Sequence, residues 1–304
     1  MKQGLIGEET GFDRNRRFAN FARKAGRQPD PRSNTGMNLG IIGCGKMGRA
    51  LLGGVLEAGL VAPADVTVFD AYPDAISSAV DELGVRGAGS NVEVVNQSDT
   101  VLLCVKPQTF PAMLAEIADT SGRLLISIAA GIRLDTMERA TGGRHRLVRV
   151  MPNTPALVGR GASAYALGTS ATEADAELTE RLLGSVGYVT RVEEPLIDSV
   201  TAVSGSGPAY VFLLVESMVR AGVDLGLDEK TALDLSVQTV AGAAELMLRS
   251  GESPGKLREN VTSPNGTTFA ALESFRKNDF DRIVRDALRA ARDRGVELGR
   301  AVTN

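Results

Sequence analysis

The stretch LGIIGCGKMG, residues 39–48, decides the fold. Leu39 to Ile42 form an apolar run of strand length, and Gly43-Cys44-Gly45-Lys46-Met47-Gly48 closes it with a GxGxxG turn. The following KMGRALLGGVLEAG (46–59) spaces its apolar residues as one face of a helix. In such a strand–turn–helix each glycine has its own task. The first permits the tight turn, the second lets a pyrophosphate approach the backbone, and the third lets helix and strand pack closely. The helix N-terminus then presents free N–H groups to the anion. The next strand-like run, VTVF (66–69), ends in an acid, Asp70, which completes the dinucleotide pattern.

Outward from this unit the same alternation repeats. PDAISSAVDEL (73–83), PAMLAEIAD (111–119) and LDTMERA (134–140) have helical spacing. TVLLCV (100–105) and LLISIA (124–129) have the length and composition of buried parallel strands. RLVRVM (146–151), SAYAL (163–167) and GYVTRV (187–192) extend the sheet. Strands alternating with helices predict a Rossmann-type, doubly wound α/β domain with right-handed crossovers.

Near Pro195 the character changes. PAYVFLLVESMVRAGVDLG (208–226) reads as a long apolar helix with Pro208 at its first position, and DEKTALDLSVQTVAGAAELMLRSG (228–251) as a second one ended by Gly251. SPGKLREN (253–260) makes a short helical turn, and a last helix covers about 279–300. Helices this apolar call for a partner surface, and a second copy of the chain is the simplest source. The expected organisation is a dinucleotide-binding domain over 37–195 followed by an all-α substrate-binding and dimerisation domain over 196–304. Residues 1–36 are arginine-rich and lack helical or strand periodicity, so they read as a disordered leader or an upstream start, with Met37 as the alternative start.

Composition narrows the function. Acidic residues (37) slightly outnumber basic ones (34) and Trp is absent, which argues against a nucleic-acid surface. No apolar run approaches the length of a membrane span. The two cysteines, Cys44 and Cys104, lie in apolar strand-like contexts and not at metal-ligand spacing, so no metal is expected and a reducing, cytoplasmic setting is.

Ligands of doubly wound sheets sit beyond the carboxyl ends of the strands. The candidate cofactor contacts are therefore Val105-Lys106-Pro107-Gln108, Ala129-Ala130-Gly131 and the loop carrying Asn153. Asp70 can accept hydrogen bonds from the adenosine ribose and would repel a 2′-phosphate, which leans toward NADH, although NADPH remains open. A hydroxyl substrate would need a base such as His. The one His, His145, lies in TGGRHRLV and reads as a surface turn. An imine needs less: its nitrogen takes a proton from water, and the site must supply orientation and an anion cradle. VTSPNGTTFAAL (261–272) offers both, with backbone N–H groups at a helix start and the hydroxyls of Thr262, Ser263, Thr267 and Thr268.

That loop resembles the signature loop of the pyrroline-5-carboxylate reductases, and so do VKPQ (105–108), RVMPNTPALVGRGAS (149–163) and SGSGPAY (204–210), in the same order and spacing. The resemblance runs from about residue 38 to the C-terminus. It implies a Rossmann domain followed by a helical dimerisation domain, a homodimer or higher homo-oligomer, and reduction of 1-pyrroline-5-carboxylate to L-proline with NADPH or NADH. It also implies roles. Thr268 would meet the substrate ring nitrogen, and Gly266 and Thr267 its carboxylate. The dinucleotide would be held by Ile42, Gly43, Cys44, Gly45, Lys46, Met47, Gly48, Asn91, Cys104, Val105, Lys106, Pro107, Ala129, Ala130 and Gly131, with Asn260 approaching from the helical domain. SGSGPAY would wall the nicotinamide. The loop departs from the family in having Asn265-Gly266 where two glycines are usual. A related imine reductase, a β-hydroxyacid dehydrogenase and a non-catalytic dinucleotide sensor are the alternatives.

Overall fold

The computed structural model describes residues 36–303, so the leader expected over 1–36 lies, apart from Gly36, outside the described residues. The chain enters β1 (Leu39–Ile42), α1 (Lys46–Glu57), β2 (Val66–Phe69) and α2 (Pro73–Leu83). There follow β3 (Arg86–Gly87), α3 (Asn91–Gln97), β4 (Thr100–Leu103), α4 (Phe110–Glu116), β5 (Leu124–Ser127) and α5 (Leu134–Ala140). β6 (Arg146–Met151), β7 (Gly161–Leu167), α6 (Glu173–Gly184) and β8 (Gly187–Arg191) complete the sheet. Its order is β3-β2-β1-β4-β5-β6-β7-β8.

The doubly wound expectation holds through β6, with Leu39 of β1 in register with Val66 of β2 and Thr100 of β4. β7 then runs antiparallel to β6, and β8 parallel to β7. The reason is loop length. Only residues 152–160 separate β6 from β7, whereas a parallel return needs a crossover of roughly a dozen residues or more. α6 provides such a crossover between β7 and β8.

Side chains alternate across the sheet, and each face has its own core. Ile41, Val68 and Leu102 pack with Leu51, Leu52 and Val55 of α1 and Leu182 of α6. Ile42, Val101, Leu103 and Leu125 pack with Val94, Phe110, Leu114 and Met137 of the other helices.

His145 is a correction. It precedes β6 as expected but is buried, not a surface turn. Its Nε2 lies 3.1 Å from the Thr120 hydroxyl and its Nδ1 accepts the Arg123 N–H at 3.3 Å. The turn's polar composition hid a ring buried against the segment that leads into β5.

After β8 come α7 (Ile197–Val200), a π turn (Thr201–Gly205) and α8 (Gly207–Asp224). Pro208 opens α8 as expected, one residue inside its start at Gly207, and a bend at Ser206 separates it from the π turn. The proline explains the π turn. It has no N–H, and its ring clashes with the carbonyl four residues back. The backbone widens there, and the Ser206 N–H reaches the Thr201 carbonyl at 2.8 Å. Within Glu194–Asp224 an 18-residue window has mean hydropathy 1.3, enough to cross a membrane by length and composition, a test that core helices of soluble proteins also pass.

α9 (Glu229–Ser250), α10 (Pro254–Asn260), α11 (Thr267–Lys277) and α12 (Phe280–Thr303) follow. Asp228 caps α9 and Gly251 ends it in the left-handed region at φ 68°. By packing, the described chain divides into two units. Ala209–Arg285 forms one; residues up to Pro208, together with those from Asp286 onward, form the other. The end of α12 belongs with the sheet because it is glycine-lined. A Cβ at Gly299 would lie 3.2 Å from the Gly131 carbonyl.

In the unit Ala209–Arg285, Ala232 and Ser236 are the buried residues. Gly222 of α8 lets α9 approach closely, since a Cβ there would stand 3.1 Å from that of Ala232. Phe275 and Phe280 meet edge to face at 5.1 Å, beside an open cavity of about 410 Å³ lined by Ala271, Ser274 and Ile283. Phe212, Leu213, Leu235 and Ile283 stay more than half exposed. Apolar faces of this extent mark an interaction surface.

Candidate active site

The strand ends of the sheet unit gather the first group of candidate residues. Gly43 has φ +100°, and a Cβ on it would lie 2.7 Å from the backbone of Cys104, at the end of β4. A Cβ on Gly48 would lie 2.1 Å from the Gly43 carbonyl. Both positions exclude any side chain. Gly45 is different: a Cβ there would meet nothing within 4 Å, so what its bareness leaves open is approach from outside. α1 begins at Lys46 with no side-chain cap and no acidic residue in its first turn. Its leading N–H groups have no partner inside the helix, and Met47 and Gly48 share that positive end. This chemistry fits a pyrophosphate.

Asp70 sits where the sequence placed it, but it has a second task. One carboxylate oxygen accepts the Cys44 N–H at 2.7 Å and the other the Tyr72 N–H at 3.0 Å. It thus pins the glycine turn to the end of β2. Burial, then the Asp70 charge, pushes the Cys44 thiol up to about 11, and burial raises Cys104 further. Neither sulfur is a nucleophile at neutral pH. Arg49, on α1, donates to the Ser78 hydroxyl at 2.7 Å and pairs with Glu82 on α2, so its charge is already engaged.

Asn91 opens α3 and is buried. Its amide NH2 donates to Glu116 at 2.7 Å, while its Oδ1 has no donor among the described residues. A buried acceptor left this way costs about 1–3 kcal/mol, and a ligand hydroxyl would remove the cost. α3 is not among the helices expected from the sequence. The S-x-x-E spacing of Ser90 and Glu93 was its signal, and Ser90 does accept the Glu93 N–H.

Cys104 N–H donates to the Ile42 carbonyl at 2.7 Å, which continues the β1–β4 ladder to Val105. Lys106 is exposed, and the turn Pro107–Thr109 folds back on its carbonyl. After β5, Ala129 is buried, Ala130 is exposed and Gly131 takes φ +77°. These backbones stand at one edge of the sheet with the glycine turn.

Asn153 behaves differently from the expected cofactor contact. Its Nδ2 donates to the Ser204 carbonyl at 3.1 Å and its Oδ1 accepts the Ala162 N–H at 2.8 Å. The amide therefore ties protein to protein. Below it, buried Arg149 pairs with Glu194 at 3.2 Å and Asp198 at 3.3 Å, while Glu194 also accepts the Leu134 N–H at 2.7 Å. Sequence reading gave these three charged residues no role; their partners lie some 45 to 60 positions away.

The second group lies on the helical unit. α10 ends at Asn260, whose amide donates to Glu252 at 3.3 Å. Thr262 turns its hydroxyl back onto the Arg258 carbonyl at 2.6 Å. Asn265 adopts φ +57°, the left-handed conformation that the substitution for glycine requires. Gly266 is constrained: a Cβ would meet the Ser263 hydroxyl oxygen at 2.7 Å. α11 then starts with no side-chain cap and no acid in its first turn. The Thr267 and Thr268 N–H groups face outward from that positive end, and the half-buried Thr268 hydroxyl has no partner among the described residues. Of the loop's hydroxyls, Thr262 serves the fold; Ser263, Thr267 and Thr268 have no side-chain partner among the described residues, and of these three Thr268 alone is half-buried. With no Lys, His or carboxylate in the loop, it suits a small carboxylate beside a weakly basic nitrogen.

Known proteins match this arrangement. The family model for pyrroline-5-carboxylate reductase dimerisation matches residues 194–298, and one described as NADP oxidoreductase, coenzyme F420-dependent, matches residues 38–131. The pyrroline-5-carboxylate reductase of Methanosarcina acetivorans is 41% identical over 264 residues, 86% of this chain and 98% of the relative. The solved structure of a pyrroline-5-carboxylate reductase from Coxiella burnetii has TM-score 0.82 at 34% identity, covering 86% of this chain and 98% of that one. The Plasmodium falciparum pyrroline carboxylate reductase, solved with NADP bound, has TM-score 0.77 at 32% identity, with the same coverage. A glycine turn whose chemistry fits a pyrophosphate, an uncapped hydroxyl-bearing helix start and similarity over 86% of the chain point the same way, and the chain belongs to the pyrroline-5-carboxylate reductase family.

Proposed function

We propose that this protein reduces the C=N bond of 1-pyrroline-5-carboxylate to give L-proline, the last step of proline biosynthesis. The observation that carries the reading is the uncapped start of α11, with its unpartnered Thr268 hydroxyl. Bound reduced nicotinamide supplies the hydride; the imine carbon receives it and the ring nitrogen gains a proton. Gly266 and Thr267 hold the substrate carboxylate through backbone N–H groups, aided by the helix dipole. The Thr268 hydroxyl holds the ring nitrogen and fixes which face is presented. The glycine turn, Asn91, the strand ends at 104–107 and 129–131, and Asn260 hold the dinucleotide. A His-dependent dehydrogenase is disfavoured, because His145 is buried at the amino-terminal end of β6, the edge opposite the strand ends.

Within NAD(P)H use, we read a preference for NADH. Asp70 and Asp74 place negative charge where a 2′-phosphate would sit, and the nearby cation, Arg49, is bound to Glu82. Residues 37–195 are assigned to the dinucleotide, and 196–304 to the substrate and to pairing with a second copy through the exposed helical faces. Two free thiols suit a reducing cytoplasm.

The test is direct. Purified protein is given NADH or NADPH with and without pyrroline-5-carboxylate, and cofactor oxidation is matched to proline formed. Equal amounts are expected; no proline above an enzyme-free control overturns the reading.

A further inference from the structure

We propose that Asn153 is a positioning residue: its amide replaces the backbone donor that Pro208 cannot supply, and so fixes the π turn at the nicotinamide end of the site. The proposal rests on the functional reading above.

In an uninterrupted α-helix the Ser204 carbonyl would accept the N–H of residue 208. Residue 208 is proline, which has none, and its ring pushes that carbonyl out of line. The orphaned oxygen is met from outside the helix by Asn153 Nδ2 at 3.1 Å. The other end of the same side chain accepts the Ala162 N–H at 2.8 Å. One buried amide thus joins the end of β6, the start of β7 and the π turn. The turn also lies flush on β6: a Cβ at Gly205 would come within 2.5 Å of the Met151 methyl carbon. β6 ends at the carboxyl edge of the parallel sheet, where a nicotinamide lies. Without the amide, the Ser204 carbonyl has no donor among the described residues and the turn loses its tie to β6 and β7. Asn153 then acts on the reaction through Ser204 to Gly207 and not by touching the cofactor.

The test is a double-mutant cycle on the full chain with Asn153→Ala and Pro208→Ala, alone and together. Pro208→Ala returns a backbone N–H four residues after Ser204. Asn153→Ala alone should lower kcat/KM for pyrroline-5-carboxylate about tenfold, mainly in kcat, as expected for an unsatisfied carbonyl at the site wall. In the Pro208→Ala background the same change should cost less than about twofold. Amide hydrogen exchange at Ser206 should accelerate in Asn153→Ala and return toward wild type in the double variant. An equal loss in both backgrounds overturns the proposal in favour of direct cofactor contact. So does a lowered Tm with kcat/KM unchanged. If Asn153→Ala does not fold, Asn153→Asp keeps the acceptor for Ala162, removes the donor to Ser204 and should give the same pattern. If the wild-type protein forms no proline, the functional reading fails. Exchange at Ser206 then decides the Asn153–Ser204 tie alone, and unchanged exchange overturns it.

Discussion

The two units differ in how they close their cores. The sheet unit covers both faces of its sheet with its own helices, and its strands β1, β4 and β5 are buried throughout. The helical unit buries little more than Ala232 and Ser236, and α8 has no buried residue. One unit is complete as a single chain. The other presents the surface of half a core. The residues proposed to hold dinucleotide, Asn260 apart, therefore rest on a scaffold built by one chain, whereas the proposed substrate loop rests on helices with exposed apolar faces.

The comparison breaks most visibly at Phe212. If α8 is covered by a second copy, Phe212→Asp removes an apolar contact of roughly 1.5–3 kcal/mol, twice over by symmetry. It also buries a charge. Light scattering should show a monomer, and proline formation should be lost. Tyr188→Asp, at a similarly exposed aromatic on the sheet unit, should leave the assembly unchanged. A Phe212→Asp protein of wild-type mass would show that this face is not the interface.

Thr268→Val sharpens the division of labour next. It preserves shape and removes one hydrogen bond to a charged group, worth about 1.5–3 kcal/mol, or roughly tenfold to a hundredfold in kcat/KM. Dinucleotide affinity, measured by fluorescence titration, should hardly move. Joint loss of cofactor binding and activity would place Thr268 in the fold and not in the chemistry.

A smaller effect is expected at Asp70. Two like charges 4 Å apart in water repel by about 1 kcal/mol, so Asp70→Ser should shift the NADPH-to-NADH ratio of kcat/KM about fivefold toward NADPH. Both absolute values should fall somewhat, because Asp70 also holds the Cys44 N–H. An unchanged ratio would leave Asp70 with only that structural bond.

The smallest is a pH slope at His145. Burial, with help from the Arg123 and Arg144 charges, holds its imidazole below its ordinary pKa. The folded state thus favours the neutral ring, and its stability is fully present above the unfolded pKa of about 6.5. It is lost as pH falls below that value, because the unfolded chain binds the proton more readily. His145→Gln should flatten the dependence of denaturation midpoint on pH between about 7 and 5. A slope identical to wild type would remove His145 from the stability balance.

What the sequence determined by itself was written in local spacing, although the S-x-x-E start of α3 went unread. Leu39 to Gly48 specified strand, turn and helix because apolar period, glycine freedom and helix start are set within ten residues. Gly251 and Asp228 marked helix ends, and the departure at Asn265 was readable because left-handed backbone tolerance belongs to the residue itself. The tertiary structure alone decided where polar side chains spend their hydrogen bonds. Asn153 finds Ser204 across 51 positions, and Asp70 finds the Cys44 N–H across 26. His145 is buried by Thr120 and Arg123, both more than 20 positions away. Such pairings depend on which strand ends the sheet brings together. A polar residue in a turn therefore looks the same in sequence whether it meets water, a ligand or the missing bond of a distant proline.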